Sequence, residues 1–167
     1  MRHYNGLNPF VTKTWIMATT RFYIGADHAG YGAKEALQKF LARKGVETID
    51  LGTHSIDPTD YPDYAEKVAR KVVRDRGSFG LLICGSGIGM SIAANKVKGI
   101  RAANPASTKA ARLAREHNDA NVICLGGRTN SIQRSKKILT AFLGARPSHA
   151  KRHLKRTEKI AKIEKSK

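Results

Sequence analysis

Residues 79–96 read FGLLICGSGIGMSIAANK and set the architecture of the chain. The first six residues are almost wholly apolar, as expected for a strand that is covered on both faces of a parallel sheet. Three glycines then alternate with other residues and lead into a helical pattern around residues 89–97. This order predicts one strand–turn–helix unit of an α/β fold, with Cys84 at the carboxyl end of its strand.

Short apolar runs alternate with amphipathic stretches along the rest of the chain. Strands are predicted at 21–26, 46–50, 100–103 and 121–125, and later helices at 106–117, 131–143 and 150–164. The first helix carries on one face Ala33, Leu37, Phe40 and Leu41. Asp60 is placed to cap the second helix, which starts at Tyr61. Its buried face is predicted to hold Ala65, Val68, Ala69, Val72 and Val73. Strands separated by helices imply a parallel sheet with helices on both faces.

Length and composition predict one soluble domain with an anionic partner. The chain has 167 residues, 41% of them hydrophobic, and a formal net charge of +18. Residues 17–167 are expected to form a single domain that ends in a basic helix, and residues 1–16 an extension outside it. Cys84 and Cys124 are too far apart for a paired-cysteine metal site, which fits a reducing compartment such as the cytoplasm. The uncharged stretch 77–95 contains too many glycines and polar residues for a membrane span.

The glycine-rich turn is the strongest chemical signal. Alternating glycines let backbone N–H groups converge on an anion, and the following helix adds a partial positive charge. The turn is not a dinucleotide fingerprint, because Met90 stands where the third glycine would fall, and it lacks the Gly-Lys-Ser/Thr of a P-loop. Cys84 beside this turn is a candidate base or nucleophile; the alternative is a small core residue, the interpretation we keep for Cys124.

Two polar segments follow other strands. Asp27 and His28 come directly after the first strand, where open parallel sheets bind ligands, although turn chemistry alone also explains such a pair. His117 is in register with the apolar positions of its helix and is expected to face inward, as a catalytic group or as a satisfied core histidine. Asn118 begins the polar turn before the fifth strand.

Basic residues near the end of the chain predict phosphate binding. Arg128 follows the fifth strand, and His149, Arg152, His153 and Arg156 share one helix face by spacing. Two arginines one turn apart can fork onto one phosphate group. No aromatic residue that would stack a base occurs from residue 144 onward, so a phosphorylated small molecule is a better expectation than nucleic acid.

Together these pieces resemble the family of type B ribose-5-phosphate isomerases, which also holds the galactose-6-phosphate isomerase subunits. The resemblance spans roughly residues 21–164 and rests on GADHAG (25–30), DLGTHS (50–55), DYPDYA (60–65), CGSGIGMSIAANK (84–96), REHNDANVICLGGR (115–128) and the Arg152/Arg156 pair. It implies a Rossmann-like three-layer sandwich with a five-stranded parallel sheet. It also implies interconversion of D-ribose 5-phosphate and D-ribulose 5-phosphate without metal or cofactor. The resemblance also implies dimers, or dimers of dimers, with active sites at the subunit interface. Neither a nucleic acid nor a membrane is expected as a partner.

The same resemblance suggests a role for each candidate residue. Four residues are expected to be catalytic. Cys84 would act as the base that moves a proton between C2 and C1, His117 and Asp27 would assist ring opening, and Ser86 would bind the enediolate oxygen. The substrate-binding group is His28, Gly85, Gly87, Gly89, Asn118, Arg128, Arg152 and Arg156, with the glycine amides at the enediolate and the basic residues at the phosphate. Residues 103–109 lack the acidic and aromatic residues of many relatives, so a six-carbon aldose phosphate remains an alternative substrate. A non-catalytic sugar-phosphate sensor and a nucleic-acid binder are the alternatives from other classes.

Overall fold

The computed structural model describes residues 20–165 and contains a five-stranded parallel sheet with helices on both faces. The strands are β1 Arg21–Ala26, β2 Glu47–Asp50, β3 Phe79–Cys84, β4 Ala102–Ala103 and β5 Val122–Gly126. The helices are α1 Tyr31–Ala42, α2 Tyr61–Arg74, α3 Ile88–Ala94, α4 Thr108–Asn118, α5 Ile132–Leu143 and α6 Lys151–Lys165. The predicted three-layer α/β class is confirmed. The extension expected at residues 1–16 lies outside the described residues.

The strand order is β2-β1-β3-β5-β4, with every neighbouring pair parallel. The chain winds from β1 to β2 and then crosses to β3, so the winding direction changes between β1 and β3. Ligand sites of open α/β sheets lie outside the carboxyl ends of the strands at such a change. In the register, Ala26 pairs with Ile83 and Cys84 with Gly126, so the ends of these three strands meet at one edge.

Two apolar layers cover the sheet. Alternate side chains of β3 point to opposite faces of the sheet and so belong to different layers. Leu81 and Ile83 pack into the layer with α1 and α5, whereas Leu82 and Cys84 pack into the layer with α2 and α3. All three central strands are buried along nearly their whole length. The near-continuous apolar runs in the sequence are the consequence of this two-sided burial.

Three local expectations are wrong, and a fourth, the cap at Asp60, is met in position only. Helix α3 ends at Ala94 rather than near residue 97; the Asn95 side chain bonds both backbone groups of Ala102, at 2.9 and 2.8 Å, and also the Ser91 carbonyl of the helix at 2.9 Å. Asp60 occupies the N-cap of α2, but its side chain makes no capping hydrogen bond. Val73 is 42% exposed at the rim between α2 and α3. His149 precedes α6 and is exposed.

No helix in residues 20–165 is long and apolar enough to cross a membrane.

Candidate active site

The Cys84 thiol lies at the end of the central strand and is 5% exposed. Its Sγ accepts a hydrogen bond from the Gly87 backbone N–H at 3.1 Å. Gly87 stands at the start of α3 with φ of +80°, a left-handed conformation that glycine adopts at little cost. The turn therefore bends back and directs a main-chain dipole at the sulfur, an arrangement that stabilises negative charge there.

Crowding, rather than backbone conformation, explains Gly89. A Cβ at Gly89 would lie 2.6 Å from the ring of Tyr61, which packs directly over the first turn of α3. A Cβ at Gly85 would make only an ordinary van der Waals contact with the Arg128 side chain, at 3.6 Å, so crowding does not explain that glycine. The Ile88 N–H already donates to Ser86 Oγ at 3.3 Å, so Ser86 orders the turn as well as presenting its hydroxyl. The Gly89 N–H, in the first turn of the helix, has no intrahelical acceptor.

Asp27 and His28 lie beside this turn. The Asp27 N–H donates to the carbonyl of Ile83 at 3.1 Å, one residue before Cys84 in the neighbouring strand. Asp27 is buried, and its Oδ1 accepts from the Gly30 N–H at 2.9 Å, so the carboxylate does have the turn-forming role that the sequence left open. His28 is half-buried, and its Nδ1 accepts from the Thr59 N–H at 3.2 Å, which leaves the proton of the neutral ring on Nε2.

Arg128 completes this side of the site. The Gly127 N–H donates to the Cys84 carbonyl at 2.7 Å, and the Arg128 N–H donates to the Gly85 carbonyl at 2.9 Å. These bonds tie the loop after β5 to the glycine turn, and the exposed guanidinium extends along Gly85. The carboxyl ends of β1, β3 and β5 thus bring together a group of candidate residues that we call the glycine-turn cluster. Its members are Asp27, His28, Cys84, Ser86, Gly85, Gly87, Gly89 and Arg128.

A second group of candidate residues, which we call the histidine cluster, consists of His117, Asn118, Arg152, His153 and Arg156. The rings of His117 and His153 stack with centroids 4.1 Å apart and 10° between their planes. Arg152 Nε donates to His153 Nε2 at 3.2 Å, whereas His153 Nδ1 is buried without a partner among residues 20–165.

Burial lowers the pKa of His153, and the positive charges of its histidine and arginine neighbours lower it further. His117 is half-buried in this stack rather than in the core; the core face of α4 carries Ala111 and Arg115 instead.

Within one chain the two clusters lie at opposite ends of the parallel strands: the glycine-turn cluster lies at the carboxyl ends and the histidine cluster at the amino ends. Helix α4 begins after the carboxyl end of β4 and returns to the amino end of β5, so His117 and Asn118 precede the start of that strand. Cys84 pairs with Gly126 at its other end, about 13 Å away for four residues of strand. Helix α6 starts at the amino edge too, because the Ser148 N–H donates to the Glu116 carbonyl at 2.8 Å. A single chain therefore does not bring Cys84 and His117 together.

Comparison with known proteins identifies the family. A family model described as Ribose/Galactose Isomerase matches residues 22–160. The chain belongs to the ribose/galactose isomerase family. It is 45% identical over 140 residues to ribose-5-phosphate isomerase B of Escherichia coli (strain K12), a match that covers 84% of this chain and 93% of that protein. The protein of the same name from Mycobacterium tuberculosis (strain H37Rv) is 42% identical over 151 residues, covering 90% and 93%.

Solved structures show the same likeness. The ribose-5-phosphate isomerase B of Clostridium thermocellum superposes with a TM-score of 0.85 at 44% identity, covering 87% of this chain and 98% of that one. The type B ribose 5-phosphate isomerase of Trypanosoma brucei gives a TM-score of 0.83 at 46% identity, covering 87% and 99%.

Two residues of this family member border the glycine turn without having been singled out from sequence. Asn104 Nδ2 donates to the Ser86 carbonyl at 3.3 Å, and the Tyr61 ring covers Gly89. Tyr61 lies inside a motif that signalled the family, but only the contact with Gly89 gives it a place beside the site. Cys124 is fully buried, and burial together with nearby Cys84 raises its pKa strongly, as expected of a core thiol.

Proposed function

We propose that this chain interconverts D-ribose 5-phosphate and D-ribulose 5-phosphate, with Cys84 as the base. The observation that carries the proposal is the Gly87 N–H directed at Cys84 Sγ at 3.1 Å, at the strand end where Asp27, His28 and Arg128 converge. A base in this position can serve two adjacent carbons of one small substrate.

The chemistry needs one proton to move between carbons and one between oxygens. The Cys84 thiolate removes the proton from C2 of the open-chain aldose, and the electron pair moves through the new C1–C2 double bond onto O1. The Ser86 hydroxyl and the Gly89 N–H stabilise that charge. A proton passes from O2 to O1, and the thiol then returns its proton to C1 as the C2 carbonyl forms. Atoms and charge balance without a cofactor.

We infer that a second copy of the chain supplies the histidine cluster. Ile88 and Ile92 are both 57% exposed on α3, immediately after the glycine turn, and Leu154 is 44% exposed between the two arginines of α6. Each half of the site thus has apolar surface beside it, and burying such surface favours association. A symmetric pair built on these faces would complete two identical sites.

In such a pair four residues of the histidine cluster have a task, and His153 stacks on one of them, His117. His117 would exchange the proton needed to open the furanose ring, assisted by Asp27 from the other copy. Arg152 and Arg156, one helical turn apart, would grip the phosphate together with His28 and Arg128, and Asn118 would bind a sugar hydroxyl. Remote phosphate binding of this kind orients a small substrate over the base.

The test is a coupled isomerase assay on the purified protein with two matched thiol variants. Cys84→Ala is expected to lower kcat by about 10²–10⁴-fold, the usual contribution of a positioned base. Cys124→Ala, the control, removes a thiol of the adjacent strand and is expected to keep most of the activity. Near-normal turnover by Cys84→Ala would exclude the base assignment. Comparing kcat/KM for ribose 5-phosphate and allose 6-phosphate decides between five- and six-carbon substrates.

A further inference from the structure

Helix α2 carries a basic stripe that the isomerase reaction does not use. Lys67, Arg70, Lys71 and Arg74 recur at the three- and four-residue spacing that places side chains on one helix face. All of them are exposed, while the opposite face of the helix is buried against the sheet. The stripe is about 10 Å long, with neighbouring charged positions about 5–6 Å apart.

The stripe borders hollows on both of its sides. Between α2 and the segment after α3 lies a cavity of about 550 Å³, whose charged lining is Glu66, Arg70, Arg74, Lys96 and Lys98. Its remaining lining is apolar or small. On the other flank a hollow of about 330 Å³ is lined by Leu51 and all four members of the stripe. We call this combined surface the basic groove.

The charge of the basic groove is largely uncompensated. Glu66 pairs with Arg70 at 2.7 Å. Within residues 20–165 no carboxylate lies within ion-pair distance of Lys71, Arg74 or the two lysines of the opposite wall. By contrast, Arg101 and Arg115 at the amino ends of the strands share Asp119, at 2.9 and 2.7 Å. The unpaired cations around the Glu66–Arg70 pair favour an extended anion.

We propose that the basic groove binds the phosphate backbone of a single-stranded nucleic acid. Arg70 is held by Glu66 through both Nε and a terminal nitrogen, each at 2.7 Å, so Arg74 is the guanidinium that offers phosphate paired N–H donors. The regular spacing of charge suits a ligand whose own charges repeat. No aromatic side chain lines either hollow, so binding is through the backbone and independent of base sequence. The proposal does not rest on the isomerase assignment.

The experiment measures fluorescence anisotropy of a labelled 20-nucleotide oligo-dT at several salt concentrations. The groove variant is Lys67→Gln/Arg70→Gln/Lys71→Gln/Arg74→Gln. The matched control is Lys151→Gln/Lys155→Gln/Lys159→Gln/Lys162→Gln, which removes four exposed charges from α6, none of which lines a described hollow. Both variants change the net charge equally, so only the position of the lost charges differs.

The groove variant is expected to weaken binding at least about tenfold at 100 mM salt and the control less than about threefold. Each phosphate contact to a single strand contributes about −0.7 to the slope of log K against log salt, so the groove variant should flatten the slope by about 2 to 3. Equal losses in the two variants would overturn the proposal, because net charge would then explain binding. Absence of binding by the unmodified protein at 100 mM salt would overturn it too.

Two further arms test the groove and its ligand. Lys96→Gln/Lys98→Gln, which alters the opposite wall without touching α2, is expected to weaken binding several-fold; an unchanged affinity would contradict a two-walled groove. Inorganic polyphosphate is the competing phosphate chain; the oligonucleotide is expected to bind more tightly at equal phosphate concentration, and tighter binding of polyphosphate would overturn the assignment to a nucleic acid. Equally tight binding of polyglutamate of the same charge would refute selectivity for phosphate.

Discussion

Replacing Gly87 with alanine tests the physical basis of the glycine turn. Gly87 has φ of +80°, and an added Cβ would lie 2.8 Å from the carbonyl carbon of Leu125. The left-handed conformation costs an alanine about 1–2 kcal/mol, and forcing a methyl group against packed backbone costs a further 1–3 kcal/mol or so. With a partial offset from the stiffer unfolded chain, we expect a loss of about 2–4 kcal/mol in the free energy of unfolding.

Gly45→Ala is the matched control for this substitution. Gly45 also has a positive φ, +73°, but a Cβ there would meet nothing within 4 Å. It therefore isolates the conformational cost, about 1 kcal/mol, from the crowding. Urea unfolding of both variants gives the two free energies, and the difference between them measures the crowding at Gly87.

The same substitution should affect turnover. Moving the Gly87 N–H away from Cys84 Sγ removes a donor to the reactive group, for which a loss of about 10²-fold in kcat is expected. Gly45→Ala should leave kcat unchanged. A folded Gly87→Ala protein with unaltered kcat would refute the claim that this amide serves the thiolate, and equal stabilities of the two variants would refute the crowding argument.

Three further predictions concern burial, protonation and association. Lys34 is fully buried and bonded to Asp50, whose own side chain is 18% exposed, so Lys34→Met should lower the free energy of unfolding by about 2–4 kcal/mol in urea titrations. Because the pKa of His153 is lowered in the folded protein, the unfolded chain binds a proton at this imidazole more readily. The free energy of unfolding should therefore fall as the pH drops below about 6.5. His153→Gln should flatten this pH dependence when unfolding is measured from pH 7.5 to 5.5. Ile88→Ser/Ile92→Ser should shift the protein toward monomers in analytical ultracentrifugation and lower kcat with it.

Exposed residues provide the controls. Lys39 is exposed on the same helix as Lys34, so Lys39→Met should change stability by no more than about 0.5 kcal/mol. Ile56 is 76% exposed but lies in the loop between β2 and α2, and Ile56→Ser should leave the sedimentation of the protein unchanged. Equal losses of stability in Lys34→Met and Lys39→Met would contradict the first prediction, and a stability that rises as the solution is acidified would contradict the second. Equal sedimentation of Ile56→Ser and Ile88→Ser/Ile92→Ser would contradict the third.

The sequence was sufficient for the layered architecture and for one half of the site. Continuous apolar runs mark strands buried on both faces, and the residues after β1, β3 and β5 necessarily share an edge once the strands are parallel. Cys84, Asp27 and Arg128 could therefore be predicted to meet. Periodicity also places α2 correctly, although it assigns Val73 to the core, because an apolar pattern does not reveal where the neighbouring helix stops.

Long-range polar contacts could not be predicted in this way. Lys34 lies on the apolar arc of α1, and only the fold reveals that Asp50 from β2 reaches it. Arg115 is buried beneath Phe79, with its guanidinium carbon 4.6 Å from the ring centre, and is held by Asp119. Its burial depends on strands distant in sequence. The separation of His117 from Cys84 follows from the course of α4 across the sheet, which motif matching along a linear sequence does not consider.

The most direct test of a thiol base acting in a site shared between two copies is recovery of activity by mixing inactive variants. Cys84→Ala and His117→Ala are each expected to be inactive alone. After unfolding and refolding together, half of the pairs are mixed and each mixed pair has one intact site, so about a quarter of the unmodified activity should return. Cys84→Ala mixed with Asp27→Asn, both in the glycine-turn cluster, should recover none. A mixture of Cys84→Ala and His117→Ala that stays inactive, although mixed pairs are shown to form, would contradict the account.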